Sequence, residues 1–267
     1  MDKNTILEHK LPPELKIILE EYDWVVNTIG CSRTEVFKLD NRHQTLYLKI
    51  NKPESVFNLE REKTILKWLE SKLLVPQVLF FCKYKGKEYL LMSEIEGEVS
   101  FKANSDEIKR QNVKILAEGL KKIHSMDYSD CPINNSPDNL LQIAKDKLEN
   151  KKIDNSKFDE RWSDKTPEEL FQEILKNKPR KYDYVFSHGD YCLPNVIVKN
   201  KELSGFIDWS FGGINDRYFD FAAVAWSIGY NLGGEWVKYF FEDYGLEEID
   251  WNRMKFFQML NEFFQLS

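Results

Sequence analysis

Along the first third of the chain the spacing of apolar side chains changes repeatedly. Leu15, Ile18, Leu19 and Tyr22 follow a Pro-Pro start at helical spacing, which predicts a short helix over 11–22. From Trp24 onward the pattern shortens. Runs at 24–26, 35–39 and 45–50 are β-branched or aromatic and are separated by the turn residues Gly30 and Asp40-Asn41, which predicts an antiparallel meander. Ile65, Leu66 and Leu69 then share one face of an otherwise charged segment, 60–72, the signature of an amphipathic helix. Strands at 77–83 and 88–94, either side of Lys85-Gly86, complete a sheet with one inserted helix.

After Glu96-Gly97-Glu98 the texture becomes helical, with segments at 106–124, 139–148 and 167–176. The stretch 150–163 lacks periodicity and reads as loop, with Phe158 and Trp162 as anchors. Short strands are expected at 184–187, 196–198 and 203–208, followed by helices at 220–229, 235–244 and from 250 to the end. No internal repeat or low-complexity tract interrupts the plan. The expected architecture is therefore α+β and two-lobed. A sheet lobe over 1–96 precedes a larger helical lobe over 97–267, an arrangement that would leave a ligand cleft between them.

Charge narrows the function. The 267 residues carry 38 Lys plus Arg against 44 Asp plus Glu, a formal charge of −6 with no polybasic block, which argues against nucleic-acid and anionic-membrane partners. No apolar run approaches the roughly 20 residues that span a bilayer. Cys31, Cys82, Cys131 and Cys192 form no CxxC pair, and the polar start Met1-Asp2-Lys3-Asn4 lacks a signal-peptide pattern, so a reduced, cytoplasmic protein is expected.

The densest chemistry lies in Ser187-His188-Gly189-Asp190-Tyr191-Cys192-Leu193-Pro194-Asn195, followed thirteen residues later by Asp208 in Gly205-Phe206-Ile207-Asp208-Trp209. An H-x-D-x₄-N loop and a later Asp are the parts of kinase-type phosphoryl transfer. The first Asp orients the acceptor hydroxyl, while the Asn and the second Asp hold Mg²⁺. Taken singly, such residues also form turns and helix caps. Upstream, Lys49 lies in a strand pattern and Glu60 opens the next helix, the order expected for an ion pair that aims an ammonium at nucleotide phosphates. Together these features predict a nucleotide-dependent kinase with a kinase-like fold.

On these motifs the sequence resembles the aminoglycoside phosphotransferases, and within them the 3′-phosphotransferases. The likeness extends to Leu46-Tyr47-Leu48-Lys49, Glu60-Arg61-Glu62-Lys63, Leu90-Leu91-Met92-Ser93-Glu94, Ser129-Asp130-Cys131-Pro132 and Met259-Leu260-Asn261-Glu262-Phe263-Phe264. The resemblance implies Asp190 as catalytic base or hydroxyl-orienting group, Asn195 and Asp208 as Mg²⁺ ligands, and Lys49 with Glu60 at the phosphates of ATP or GTP. It implies Ser32 as a phosphate cap, Tyr47 stacked on the nucleotide base with Ile207 on the far side, and the segment from Ser93 to Ile95 offering backbone hydrogen bonds to the base edge. It also places Asp159, Glu160 and Glu262 in an acidic site for a polycationic aminoglycoside.

Several positions depart from that pattern. Trp209-Ser210-Phe211-Gly212-Gly213 follows the metal Asp where the family typically reads Gly-Arg-x-Gly, Asn261 replaces an Asp, and Trp226 and Tyr230 stand where some relatives carry charge. An aromatic cluster of Trp209, Phe211, Trp226 and Tyr230 would suit a quaternary ammonium. Two alternatives therefore stay open: a kinase for another small alcohol, such as choline, homoserine or a different antibiotic class, and a nucleotide-binding pseudokinase.

Overall fold

The computed structural model describes residues 11–26, 34–52, 57–100 and 105–264. These form two compact units. The sheet unit holds the described residues up to Glu96 and also Ser204–Ser210, a strap that returns from far along the chain. The helical unit holds the described residues of Gly97–Leu203 and those from Phe211 onward. The return of the strap is absent from a simple division at residue 96.

In the sheet unit, β1 (Asp23–Val26), β2 (Glu35–Asp40), β3 (Thr45–Asn51), β4 (Val78–Tyr84) and β5 (Lys87–Ser93) form one antiparallel sheet in the order β1-β2-β3-β5-β4. Alternation sorts β3 into two faces. Leu46, Leu48 and Ile50 are buried with Phe37, Leu39 and Leu91 and with Leu11, Leu15 and Leu19. Leu15 belongs to α1 (Pro13–Ile18), which is shorter than the helix expected over 11–22. Tyr47 and Lys49 point to the opposite face, in register with Met92 and Leu90 of β5.

That second face receives α2 (Leu59–Leu69), whose first turn is fixed twice. Asn58 caps it by accepting from the Arg61 N–H at 3.0 Å. Glu88, a fully buried residue of β5, accepts from the Leu59 N–H at 2.9 Å, placing a carboxylate at the positive end of the helix dipole. The strap docks on the same unit by backbone contact. The Phe206 N–H donates to the Leu74 carbonyl at 2.9 Å, and the Ser204 hydroxyl donates to the Glu96 carbonyl at 2.6 Å.

The helical unit begins with β6 (Glu98–Val99) and α3 (Asp106–His124), the latter capped by Ser105. Next come α4 (Pro137–Glu149) and α5 (Pro167–Lys176), where Thr166 and Glu169 form a reciprocal capping box. Between them, two single 3₁₀ turns, Asn155–Lys157 and Glu160–Trp162, occupy the stretch without periodicity, and Phe158 and Trp162 are buried there as expected. Strand β7 (Tyr184–Ser187) leads into the His188–Asn195 motif, β8 (Val196–Lys199) pairs with β6, and β9 (Glu202–Phe206) carries the chain into the strap. Strand β10 (Gly213–Asp216) pairs antiparallel with β7, then α6 (Arg217–Asn231), α7 (Val237–Tyr244) and α8 (Trp251–Asn261) follow, with α3 packed on α7 and α6 on α8. Strands β6 and β10 lie in segments that their sequence reads as loop, because two to four residues are too few to show alternation. Among the described residues no helix is long and apolar enough to cross a membrane.

The strap leaves no room at Gly205, where a Cβ would meet the Leu74 carbonyl oxygen at 2.7 Å. Gly205→Ala is therefore expected to destabilise the sheet unit by about 1–3 kcal/mol, the usual range for overpacking a close contact. Urea denaturation read by β-sheet circular dichroism checks this, and a midpoint equal to that of the wild type would show that the strap is not held tightly.

Candidate active site

In the sheet unit the site is built around one ammonium. Lys49 reaches out from β3 to Glu62 Oε1 at 2.6 Å and to Asp208 Oδ1, on the strap, at 3.2 Å. Burial works against the charged lysine, but the carboxylates of Asp208 and Glu62 outweigh it and hold the Lys49 pKa above the ordinary lysine value. Asp208 adopts φ +64°, a left-handed conformation that is uncommon outside glycine and marks a backbone bent to aim this side chain.

The partner of Lys49 is thus Glu62, which corrects the expected pairing with Glu60. The two glutamates are two residues apart on α2, about 200° around the helix. Glu62 shares the stripe of Ile65, Leu66 and Leu69 and is buried against the sheet, whereas Glu60 turns outward to Lys83 at 2.6 Å. The signal was present in the sequence as the one charge on an apolar face.

The nucleotide-base candidates fare unevenly. Tyr47 shares the Lys49 face and is half-buried, with burial and then Glu94 raising its phenol pKa. Ile207 lies beside Asp208 on the strap. The Ser93 N–H donates to the Gln77 carbonyl at 3.0 Å and the Ser93 hydroxyl accepts from the Gln77 N–H at 2.9 Å. The N–H and hydroxyl of Ser93 are therefore both engaged within the chain. Ile95 follows the end of β5 with its backbone outside any strand. Ser32 lies outside the described residues.

In the helical unit the His188–Asn195 loop is held by a buried carboxylate that the sequence reading did not single out. Asp220, in the first turn of α6 and fully buried, accepts from the His188 N–H at 3.1 Å and the Gly189 N–H at 2.8 Å. The same carboxylate meets His124 Nε2 at 2.9 Å, and His124 Nδ1 meets the Tyr244 hydroxyl at 2.9 Å. An acid in the run Tyr218-Phe219-Asp220-Phe221-Ala222 was the available clue. Gly189 sits at φ +82°, where a Cβ would lie 2.3 Å from the Phe211 carbonyl oxygen, so no side chain fits there. Tyr191 anchors the loop below, its hydroxyl donating to the Leu116 carbonyl at 2.8 Å.

This scaffold presents Asp190 and Asn195 as a pair. The Asn195 amide donates to the Asp190 carbonyl at 2.9 Å and to the Asp190 carboxylate at 3.0 Å. Asn195 in the helical unit and Asp208 in the sheet unit each carry an oxygen donor, amide and carboxylate, of the hard kind that Mg²⁺ takes.

The expected acceptor acids also come together. Glu262 accepts from the Asp159 N–H at 2.9 Å, and Asp159 pairs with Arg161 at 2.7 Å. Hydrogen bonds from Arg161 keep Asp159 below the ordinary carboxylate range, whereas burial pushes Glu262 up to about 7. Glu160 is exposed beside them. The pocket bordering Glu262 and Phe263 is not uniformly acidic, since Lys147, Lys152 and Lys157 line it together with Asp154. Of the four aromatics expected to face a ligand, Trp209 is fully buried in the sheet unit, its indole N–H donating to the Phe206 carbonyl at 3.2 Å, so it offers no open face.

A model of the phosphotransferase enzyme family matches residues 23–257. Aminoglycoside 3′-phosphotransferases from Niallia circulans and Enterococcus faecalis are 35% and 36% identical, covering 95% and 96% of this chain and 97% and 98% of their own. The crystal structure of a type VIII aminoglycoside 3′-phosphotransferase superposes with a TM-score of 0.83 at 25% identity, over 94% of this chain and 96% of that one. The two-unit architecture is accordingly the protein-kinase-like fold of these enzymes. The chain belongs to the phosphotransferase enzyme family, the one that holds these aminoglycoside phosphotransferases.

Proposed function

We propose that the protein transfers the γ-phosphoryl group of ATP or GTP to a hydroxyl of an aminoglycoside, the 3′-hydroxyl, and so inactivates the antibiotic. The observation that carries the reading is the Lys49 ammonium held between Glu62 and Asp208, together with an Asp190–Asn195 pair in a loop that admits only glycine at 189. The activity of the named relatives supports the choice of acceptor.

Phosphoryl transfer asks little covalent work of a protein, so positioning and charge neutralisation carry the catalysis. Lys49, kept protonated and oriented by two carboxylates, takes the α and β phosphate oxygens. Asp190 accepts the hydrogen bond of the acceptor hydroxyl, aligns that oxygen in line with the γ-phosphorus and receives its proton as the new P–O bond forms and the bond from the γ-phosphorus to the bridging oxygen breaks, that oxygen leaving with the nucleoside diphosphate. Asn195 steadies the Asp190 carboxylate through its amide N–H and offers its carbonyl oxygen, with Asp208, to Mg²⁺. The ion, when bound, neutralises charge on the phosphates. Asp159, Glu160 and Glu262 take ammonium groups of the acceptor, each close pair being worth about 1–4 kcal/mol in a partly solvated site.

Transfer from ATP and GTP, with Mg²⁺, to kanamycin and in parallel to tobramycin, which lacks the 3′-hydroxyl, tests the reading. Kanamycin is expected to be phosphorylated and tobramycin not. Modification of both would move the reaction to another hydroxyl, and of neither would favour a different alcohol.

Asp190→Ala is expected to lower kcat by at least about 10²-fold, the usual contribution of a general base. Near-normal turnover in a folded variant would remove Asp190 from the chemistry. Glu62→Gln is expected to lower kcat/KM for the nucleotide by about tenfold or more, since it releases the Lys49 ammonium from a buried pair, while Glu60→Gln stays within about twofold because its carboxylate is at the surface. Equal effects at the two positions would contradict the assignment.

Glu262 adds a pH signature. Its carboxyl titrates at about 7 in the folded protein against an ordinary 4.5, so the folded state keeps a proton that the unfolded chain has lost. Its contribution is present in full below the unfolded value and is lost as pH rises through the folded one. The difference in thermal midpoint between wild type and Glu262→Gln should therefore change between pH 4.5 and 7.5, the wild type losing stability relative to the variant. A constant difference would show that Glu262 ionises normally.

A further inference from the structure

Helix α4 ends in an arrangement that helix geometry alone does not favour. Lys151 adopts φ +52°, the left-handed conformation that ordinarily falls to glycine, and the chain doubles back there. The Lys152 N–H donates to the Lys147 carbonyl at 2.9 Å and the Lys151 N–H to the Leu148 carbonyl at 3.0 Å. This is a Schellman closure, in which the two residues at its ends commonly meet through an apolar contact. Here both are lysines.

Lys147 is half-buried and held without a carboxylate. Its Nζ donates to the Phe263 carbonyl at 2.9 Å and lies 5.1 Å from the centroid of the Phe264 ring. Burial, and after it the Lys152 charge, hold its pKa below the ordinary lysine value. Lys157, from the 3₁₀ turn Asn155–Lys157, lines the same pocket as these two lysines, with Asp154 and Glu262 as its acids. Both acids have other work. Asp154 accepts from the Ser156 N–H at 3.1 Å and the Ser156 hydroxyl at 2.6 Å, and Glu262 accepts from the Asp159 N–H at 2.9 Å. Among the described residues none of the three lysines forms an ion pair with a carboxylate.

A lysine in the last turn of a helix complements the helix dipole, which accounts for one such residue and not for the other two. Three ammonium groups around one pocket select an anion with oxygens on several sides. A monocarboxylate brings two oxygens and one charge, whereas a tetrahedral dianion brings four oxygens and two charges. We propose that Lys147, Lys152 and Lys157 form a site for a free inorganic oxyanion of the sulfate or phosphate class, whose occupancy strengthens binding of the acceptor at the adjoining Glu262. The link to the acceptor rests on the function proposed above and deepens it. Unanswered, the lysines oppose an ammonium that approaches Glu262; a bound dianion removes that opposition. The coupling is reciprocal, so the acceptor tightens the anion by the same factor.

Thermal unfolding in sodium sulfate against sodium chloride at one ionic strength tests the site, on the full-length wild type, Lys152→Gln/Lys157→Gln and Lys67→Gln. Lys152 and Lys157 are exposed, and Lys67, an exposed residue of α2 in the sheet unit, reports the loss of an unrelated charge. Sulfate is expected to raise the wild-type midpoint by about 2–4 °C more than that of the double variant, with Lys67→Gln responding as the wild type does. Steady-state transfer to kanamycin at saturating ATP reads the coupling. Sulfate is expected to lower the wild-type KM for kanamycin by about fivefold, and the double variant to show the lower KM already in chloride, without further response to sulfate. Equal midpoint gains in wild type and double variant would overturn the site and leave the acceptor reading standing. A lysine-dependent midpoint gain with KM unchanged would overturn the link to the acceptor. If the wild type phosphorylates no kanamycin, the acceptor reading fails, and the thermal comparison still decides the anion site. Should the double variant fold poorly, Lys157→Gln alone carries the same comparisons with a smaller midpoint difference.

Discussion

A lysine ammonium placed on the inner face of a sheet, away from water, must be met by negative charge, and the sheet unit is organised around that requirement. Lys49 is answered by Glu62 from α2 and by Asp208 from the strap. Each answer constrains a whole element. The helix must present Glu62 inward, which it does because Glu88 and Asn58 fix its first turn. The strap must arrive from more than a hundred residues later in the chain, which it does through backbone contact at Leu74 and a glycine at 205. Deleting one partner of such a buried cluster leaves an uncompensated charge, an outcome costlier than the intact pair is stabilising.

The helical unit solves a different problem, holding a loop rather than a charge. Its backbone N–H groups at 188 and 189 have no strand or helix to satisfy them, and the buried Asp220 carboxylate takes both. His124 Nε2 meets the same acid and His124 Nδ1 meets the Tyr244 hydroxyl, so the loop is tied to α3, α6 and α7 together. Burying this carboxylate is tolerable because its oxygens accept from two backbone N–H groups and meet the His124 ring nitrogen. Asp190 and Asn195 are bonded to each other in the same loop.

Much of this was legible in the sequence because periodicity and chemistry agreed. The five-strand sheet, the inserted helix and the main helices all announce themselves by spacing, and the H-x-D-x₄-N motif with Asp208 marks the transfer chemistry. The failures have physical causes. Glu60 and Glu62 are equivalent in composition and differ only in their angle about the helix, so choosing between them needed the apolar stripe of Ile65, Leu66 and Leu69. Trp209 cannot join an exposed aromatic cluster because its ring packs edge-on to Phe206 and is fully buried. The strap and the Asp220 anchor depend on contacts between residues far apart in sequence, which no local pattern encodes.

In the proposed phosphoryl-transfer reaction the ammonium clamp serves the nucleotide and the acid–amide pair serves the acceptor hydroxyl. Its most direct test is the structure of the product. Phosphorus–proton correlation spectroscopy on kanamycin incubated with the protein, ATP and Mg²⁺ should show a single phosphomonoester whose phosphorus couples to the proton on the 3′ carbon. ATP consumption that yields only inorganic phosphate, with kanamycin recovered unchanged, would contradict it.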